Sequence, residues 1–338
     1  MDLKEFQYEL PARLIAQHPS SERDQSRLMV IDRAAGSIDH RTFRELPEIL
    51  RADDLVVLNN TRVFPARLAG RKSTGGRIEV LLLRQIGLQR WESLVRPARR
   101  CPPGTRLVFE AGRFEAVVQE AGQPEKRQLE FFCEPGEFRE WLYRLGQVPL
   151  PPYIQRPNEE MDRERYQTVY AARMGSVAAP TAGLHFTRKL LDRLNHTEIT
   201  LHVGYGTFRP VQCETIEDHR MDPERYSVEK RSAEWIRRQK DSGGRIVAVG
   251  TTTTRVLEHI AREHGRIEAG DGSTDLFIYP GFHFQTIDAL ITNFHLPGST
   301  LLMLVAAFGG KELMSEAYEV AVREEYRFYS YGDAMLIV

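Results

Sequence analysis

DLVVLNNTRVFPARLAGRK, residues 54–72, changes texture half-way along. Leu55 to Leu58 is an unbroken apolar run that ends in the polar, turn-forming residues Asn59, Asn60 and Thr61. An apolar run of that length suits a strand covered on both faces. From Ala66 a different pattern begins: ARLAGRK, RIEVLLLRQ, RWESLVRPA, TRLVFE, RFEAVVQE and KRQLEFFC follow at close spacing, separated by STGG, IG, PPG and AG, as far as about residue 132. Short strands with Gly and Pro between them predict a small antiparallel barrel or sandwich. A helix over roughly 136–146 follows, and VPLPPYIQRP reads as a proline-rich linker that cannot continue it.

Outside this block the texture of residues 54–63 recurs. EITLHVG (198–204), GRIVAVGTT (244–252) and IDALITNFHLP (287–297) each place an apolar run before polar residues, and TTTTRVLEHIARE and STLLMLVAAFGG then carry helical periodicity. Apolar strands alternating with helices predict a mostly parallel, two-sided sheet. The expected fold is therefore mixed α/β: a main domain formed by residues 1–64 and 151–338, with an antiparallel β-barrel domain inserted at 65–150.

A chain of 338 residues with 41% hydrophobic content can bury a sizeable core. The opening residues, MDLKEFQYELPARLIAQHP, are acidic where a secretory leader is basic, and no apolar run approaches the roughly 18 residues of a membrane span. A cytoplasmic location without membrane contact is expected. Cys101, Cys133 and Cys213 are far apart and odd in number, which predicts reduced thiols rather than disulfides or a metal pair. The formal charge is −1 with 28% charged residues, so a polyanion would have to be met by a local patch. Two basic groups qualify: Arg67, Arg71, Lys72 and Arg77, then Arg96, Arg99 and Arg100.

Ligands of open α/β sheets bind beyond the carboxyl ends of the strands. Four segments answer to that position: Asn59, Asn60, Thr61 and Arg62; His202 with Gly204 and Gly206; Thr251 to Thr254, as helix caps presenting hydroxyls; and Asn293 with His295, followed by Ser299 or Thr300 as a cap. A nucleotide-binding GxGxxG after the early strands, GxxxxGK[ST], HExxH and GxSxG are all absent, which argues against P-loop, zinc-hydrolase and α/β-hydrolase chemistry. His259 and His264 stand at an offset that does not bring them together on a helix and read as surface residues. GSVAAPTAGLHFT (175–187) is packed with small residues; Pro180 and Gly183 bracket a turn, Thr181 is expected to cap a helix running through FTRKLLDRL, and His185 falls in its first turn. A helix N-terminus suits an anionic ligand and would keep such a histidine neutral.

The longer run YQTVYAARMGSVAAPTAGLHFT (166–187) resembles the signature of the S-adenosylmethionine:tRNA ribosyltransferase-isomerase family of queuosine biosynthesis. YELPARLIAQHP, RDQSRLMVIDR, LNNTRVFPARLAGRKSTGGRIEVLLL, LPPYIQRP, HVGYGTFRPV, GGRIVAVGTTTTRVLE, FIYPGFHF, TNFHLPGSTLLMLVAAFGG and YRFYSYGDAMLI extend the resemblance over well over half the chain, most weakly between residues 84 and 135. The chain departs at HRMDPERY, where Asp222 replaces a histidine of the family pattern HxMHxExY and cannot supply an imidazolium.

The resemblance implies a mixed α/β fold with an inserted barrel. It implies transfer and isomerisation of the ribosyl part of S-adenosylmethionine onto 7-aminomethyl-7-deazaguanine at the wobble position of a tRNA with a GUN anticodon. Epoxyqueuosine is formed, and adenine and methionine leave. S-adenosylmethionine is then a co-substrate, no separate cofactor or metal is needed, and a monomer is expected. The chemistry requires a base for the proton on the 5′ carbon, an acid for departing adenine and a water-poor pocket. His185, His202 and His295 are the candidates for proton transfer, in that order. Asn59, Asn60, Thr251, Thr252 and Asn293 are candidates for the ribose hydroxyls or the methionine carboxylate, and Arg62 for pairing with that carboxylate. Pro180, Thr181, Gly183, Gly204 and Thr207 are also expected to bind substrate, as are Tyr331 and Asp333 beside the pocket. Arg67, Arg71, Lys72 and Arg77 are expected to face the tRNA phosphates. A conventional methyltransferase and a non-catalytic RNA-binding module are the competing classes.

Overall fold

The computed structural model of the chain describes residues 1–121, 126–134, 136–208, 211 and 213–338, the side chains of Ala121, Thr207 and Phe208 excepted. The first strands are β1 (Arg27–Asp32), β2 (Ser37–Thr42), β3 (Leu55–Asn59) and the short β4 (Thr61–Val63). Next come β5 (Arg67–Lys72), β6 (Arg77–Gln85), β7 (Arg90–Arg96), β8 (Arg106–Phe109), β9 (Phe114–Ala121) and β10 (Lys126–Phe132). The chain then returns through β11 (Arg173–Ser176), β12 (His196–Leu201), β13 (Glu224–Val228), β14 (Ile246–Val249), β15 (Gly270–Thr274), β16 (Ala289–Asn293) and β17 (Ala334–Ile337). Among the described residues these form a nine-stranded sheet, β15-β13-β12-β3-β14-β16-β17-β1-β2, a closed barrel, β10-β7-β6-β5-β8-β9, and a small β11-β4 pair.

The sheet explains the unbroken apolar runs. Successive strand residues face opposite sides, and both sides are covered. Leu55, Val57 and Ala248 pack with the helices Thr251–His264, Thr300–Gly309 and Lys311–Arg323 on one face. Val56, Leu58, Val247 and Val249 pack with Phe43, Phe186 and Leu190 on the other. The expectation of a mostly parallel sheet needs correction: β12, β3, β14 and β16 form a central parallel block, but β17 runs antiparallel to β16, and β2, β13 and β15 also pair antiparallel. Short connections such as that between β1 and β2 permit only antiparallel pairing. β17 starts at the edge where β16 ends, with Ala334 opposite Asn293, and must therefore run back down.

In the barrel, alternating residues such as Leu107 and Phe109, or Leu129 and Phe131, turn inward, and Phe114 stacks on Phe131 with ring centroids 5.1 Å apart. Gly70 is required there: a Cβ would stand 2.6 Å from the Phe109 ring. The helix Glu137–Leu145 lays Phe138 and Trp141 against the same aromatic core. The proline-rich segment is more than a linker, because Val148, Leu150 and Ile154 are buried against Val63, Tyr166 and Ala179, strapping barrel to sheet.

The helix expected from Gly183 onward is not continuous. Thr181–His185 is a 3-10 turn whose N-cap, Pro180, makes no side-chain cap, Phe186 is extended, and a separate short helix, Arg188–Leu191, is capped by Thr187. His185 thus ends a tight turn instead of opening a helix. Among the described residues no helix is long and apolar enough to cross a membrane.

Candidate active site

The four strand-end segments do meet. β12, β3, β14 and β16 are adjacent parallel strands, so His202, Asn59, Thr251 and Asn293 emerge along one edge of the sheet. A cavity of about 400 Å³ opens above that edge, walled by Ala178–Ala182, Gly250–Thr252 and Thr292–Ser299 together with Tyr153, Tyr166, Val203, Tyr329 and Ser330. None of its described lining residues is Asp, Glu, Lys or Arg. Gly250 permits the approach: its φ of 86° suits glycine, and its N–H reaches the Ile291 carbonyl at 2.7 Å. Tyr153 and Tyr329 stack with centroids 4.2 Å apart.

Of the expected site residues, Pro180, Thr181, Thr251, Thr252, Asn293 and His295 line this cavity. Asn59 lies just behind it and holds the edge together. Its amide nitrogen donates to the Leu201 carbonyl at 3.0 Å and to Thr252 Oγ1 at 3.2 Å, while its oxygen accepts from the N–H groups of Leu201 and Thr61. The threonines are not caps: Gly250 is the N-cap, and Thr253 and Thr254 donate back to the carbonyls of Val249 and Gly250. Ser299 does cap its helix, accepting from the Leu302 N–H.

His295 is buried, with Nε2 2.8 Å from Thr292 Oγ1, and burial pushes its pKa down to about 3. His185 sits behind Asn293, stacked on Phe43, and lines a crevice on the far side with Arg23 and Arg165. Its Nδ1 lies 2.7 Å from Ser26 Oγ and its Nε2 3.0 Å from Asn293 Nδ2. Burial, then Arg23 and Arg327, push its pKa down to about 3. The helix dipole expected from the sequence therefore plays no part; desolvation keeps this imidazole neutral.

A second, larger cleft of about 760 Å³ lies between barrel and sheet. Its described walls include Trp91, Phe138 and Tyr143, with Arg84, Glu92, Lys126, Arg139, Asp222, Glu224 and Arg225, and Val203 lines both spaces. His202 belongs to this cleft: Nδ1 lies 2.8 Å from Thr61 Oγ1, and the ring lies so close over Gly175 that a Cβ there would come within 2.7 Å of it. Burial, then Arg173 and Arg225, lower its pKa. Gly204 donates its N–H to Glu224 Oε1 at 2.7 Å, and Glu224 forms a buried ion pair with Arg255 from the Thr251–His264 helix. Asp222 stands against Gly206 at the cleft wall.

Several expected site residues are placed elsewhere. Asn60 donates to Glu198 and accepts from Thr200 inside the sheet. Arg62 is exposed, because its strand neighbours Thr61 and Val63 face inward, and it lines neither space. Gly183 serves packing, since a Cβ would collide with the Tyr170 hydroxyl at 2.0 Å. Tyr331 donates to Asp162, and the Asp333 carboxylate accepts the N–H groups of Arg27 and Arg327, so both brace the approach to β17 instead of facing the cavity. The Thr207 side chain lies outside the described residues. Arg71, Lys72 and Arg77 share the tip of the β5–β6 hairpin, about seven residues or roughly 23 Å along β6 from Arg84 and the large cleft. Arg67, at the other end of β5, is paired with Glu79 at 2.9 Å. The cations that do line the cleft, Arg84, Lys126, Arg139 and Arg225, come from four separate elements that only barrel closure and the packing of barrel against sheet bring together. No group of three His, Cys, Asp or Glu able to hold a metal occurs among the described residues.

Fold and site together define an α/β protein that presents an uncharged, nucleoside-sized cavity next to a charged cleft bordered by a barrel. The family model for queuosine biosynthesis proteins matches residues 3–337, and the chain belongs to that family. A Symbiobacterium thermophilum relative called S-adenosylmethionine:tRNA ribosyltransferase-isomerase is 54% identical over 344 residues, covering 100% of both chains. A relative of the same name from Trichlorobacter lovleyi is 50% identical over 343 residues with equal coverage. The crystal structure of an S-adenosylmethionine tRNA ribosyltransferase from Thermotoga maritima is 42% identical and covers 99% of this chain and 100% of that one, with a TM-score of 0.56.

Proposed function

We propose that this chain is an S-adenosylmethionine:tRNA ribosyltransferase-isomerase of queuosine synthesis. It moves the ribosyl part of S-adenosylmethionine onto 7-aminomethyl-7-deazaguanine at the wobble position of a GUN-anticodon tRNA, forms epoxyqueuosine and releases adenine and methionine. S-adenosylmethionine serves as co-substrate with no further cofactor, and the protein works in the cytoplasm as a monomer, with residues 65–150 as an inserted domain. The observation that carries this reading is the convergence of three separate segments, 178–182, 250–252 and 292–299, on one cavity of nucleoside size at the carboxyl edge of a parallel block.

The two spaces divide the substrates. Sulfonium, ammonium and carboxylate are poorly served by a cavity without charged walls, so the cavity takes the adenosyl end. The cleft on the other side of Val203, with aromatic and basic walls, takes the wobble nucleotide turned out of its stack. His295 is the imidazole that lines the cavity, and burial holds it neutral at pH 7. It removes the proton from the 5′ carbon that the sulfonium acidifies. The same burial makes the resulting imidazolium a strong acid, suited to returning that proton to departing adenine. His185, with both ring nitrogens engaged, holds Asn293 in place.

Product analysis tests this reading. Incubation with S-adenosylmethionine and precursor-bearing tRNA is expected to yield free adenine and methionine in equal amounts; S-adenosylhomocysteine as product would make the protein a methyltransferase.

A further inference from the structure

Asn293 is 2% exposed, and its side chain is used unequally. The amide nitrogen lies 3.0 Å from His185 Nε2, 3.2 Å from the Tyr329 carbonyl and 3.3 Å from the Asp333 carbonyl. Two carbonyl oxygens can only accept, which fixes the nitrogen on that side and rules out the flipped amide. His185 Nε2 is then an acceptor, its proton sits on Nδ1, and Ser26 Oγ receives it. The amide oxygen, by contrast, is buried and has no hydrogen-bond partner among the described residues. Asn293 and Tyr329 line the cavity, whereas His185 and Asp333 do not, and the unpaired oxygen is the opposite end of the amide from the nitrogen that His185 and Asp333 engage. A buried acceptor left unpaired is costly, and such sites are satisfied by a ligand donor.

Resting on the function proposed above, we infer that Asn293 Oδ1 accepts a hydrogen bond from the exocyclic amine of the adenine ring of S-adenosylmethionine. This makes Asn293 a specificity residue and His185 its positioning residue. The donor must be neutral, because no acidic side chain among the described residues lines the cavity to meet an ammonium. It must also belong to a flat group, because Tyr153, Tyr166 and Tyr329 form part of the wall. A carboxylate is excluded at this oxygen, since two acceptors would face each other; the methionine carboxylate therefore lies elsewhere.

The test is a binding titration of the full-length protein with adenosine and with purine riboside, which lacks only the exocyclic amine. Wild type is expected to bind adenosine roughly 10-fold or more tighter, as sites built to pair a polar group reject ligands that lack it. N293A is expected to bind both nucleosides equally, with adenosine weakened to the level of purine riboside. Equal binding by wild type, no binding of either nucleoside at millimolar concentration, or a preference kept in N293A each overturns the inference. Should N293A fail to fold, the wild-type comparison decides alone. Release of adenine from S-adenosylmethionine by the same preparation separates the two ideas: turnover without nucleoside discrimination removes the role of Asn293 and leaves the ribosyl transfer standing.

Discussion

The sheet-edge cavity and the cleft beneath the barrel share Val203 and differ in almost everything else. The cavity holds about 400 Å³ and none of its described lining residues is Asp, Glu, Lys or Arg; the cleft holds about 760 Å³ and is walled by Arg84, Glu92, Lys126, Arg139, Asp222, Glu224 and Arg225. Continuous strands and a glycine-started helix build the first, whereas barrel and sheet must pack together to make the second. On the function proposed above, the difference separates a site that protects reactive chemistry from water from one that meets a polyanion, and each part should fail in its own way.

The largest effect is expected where the two are joined. Arg255 and Glu224 are 4% and 5% exposed, and the pair links the helix beside the cavity to the Gly204 backbone at the cleft. Arg255→Met takes the guanidinium from a buried carboxylate and should lower unfolding free energy by about 3 kcal/mol or more in denaturant titration; a loss below about 1 kcal/mol would show that the joint is not a structural keystone. Next, Ala182→Leu fills the cavity at its floor. We expect kcat/KM for S-adenosylmethionine to fall about 100-fold while tRNA affinity stays within about twofold, the cost being overpacking of one site. Parallel loss of tRNA binding would mean that the two spaces act as one.

A smaller effect belongs to the cleft. Reversal of Lys126 and Arg139 to Glu should weaken tRNA binding about 10-fold at low salt and reduce its salt dependence, leaving adenosine binding unchanged. The same reversal at Arg71 and Lys72, on the distant hairpin tip, should do less; the opposite order would place the tRNA on the barrel's far end. A last effect, on acid stability, is spread over several pH units. His185 and His295 stay neutral in the fold, whereas in the unfolded chain they take up protons as pH drops below 6.5. Their contribution is complete above that pH and is lost toward pH 3, at about 1.4 kcal/mol per pH unit per group. His295→Gln should flatten the fall between pH 6 and 4.5, and an unchanged slope would show that this histidine protonates in the native state.

Local regularities were the part of the fold readable in advance. RIEVLLLRQ is β6, Arg77–Gln85, because turn residues bound it on both sides, and the four strand ends meet because parallel strands must end together. Strand direction was harder: nothing in AMLI, residues 334–337, says that β17 runs against β16, since that follows from where the preceding turn leaves the chain. Arg62 illustrates a second limit, as the period of two in a three-residue strand turned it outward although both neighbours point in. His185 illustrates a third, because the extended Phe186 breaks what reads as one helix and moves the imidazole behind Asn293. The cleft cations were illegible for a different reason: Arg84, Lys126, Arg139 and Arg225 are distant in sequence and meet only through tertiary packing.

The central claim is that the sugar, not the methyl group, leaves S-adenosylmethionine. It is tested most directly with co-substrate carrying ¹³C in the ribose and precursor-bearing tRNA, followed by mass analysis of the wobble nucleoside. The whole labelled carbon set is expected in that nucleoside while unlabelled adenine is released. A wobble nucleoside gaining one unlabelled methyl group, with the label retained in S-adenosylhomocysteine, would contradict it.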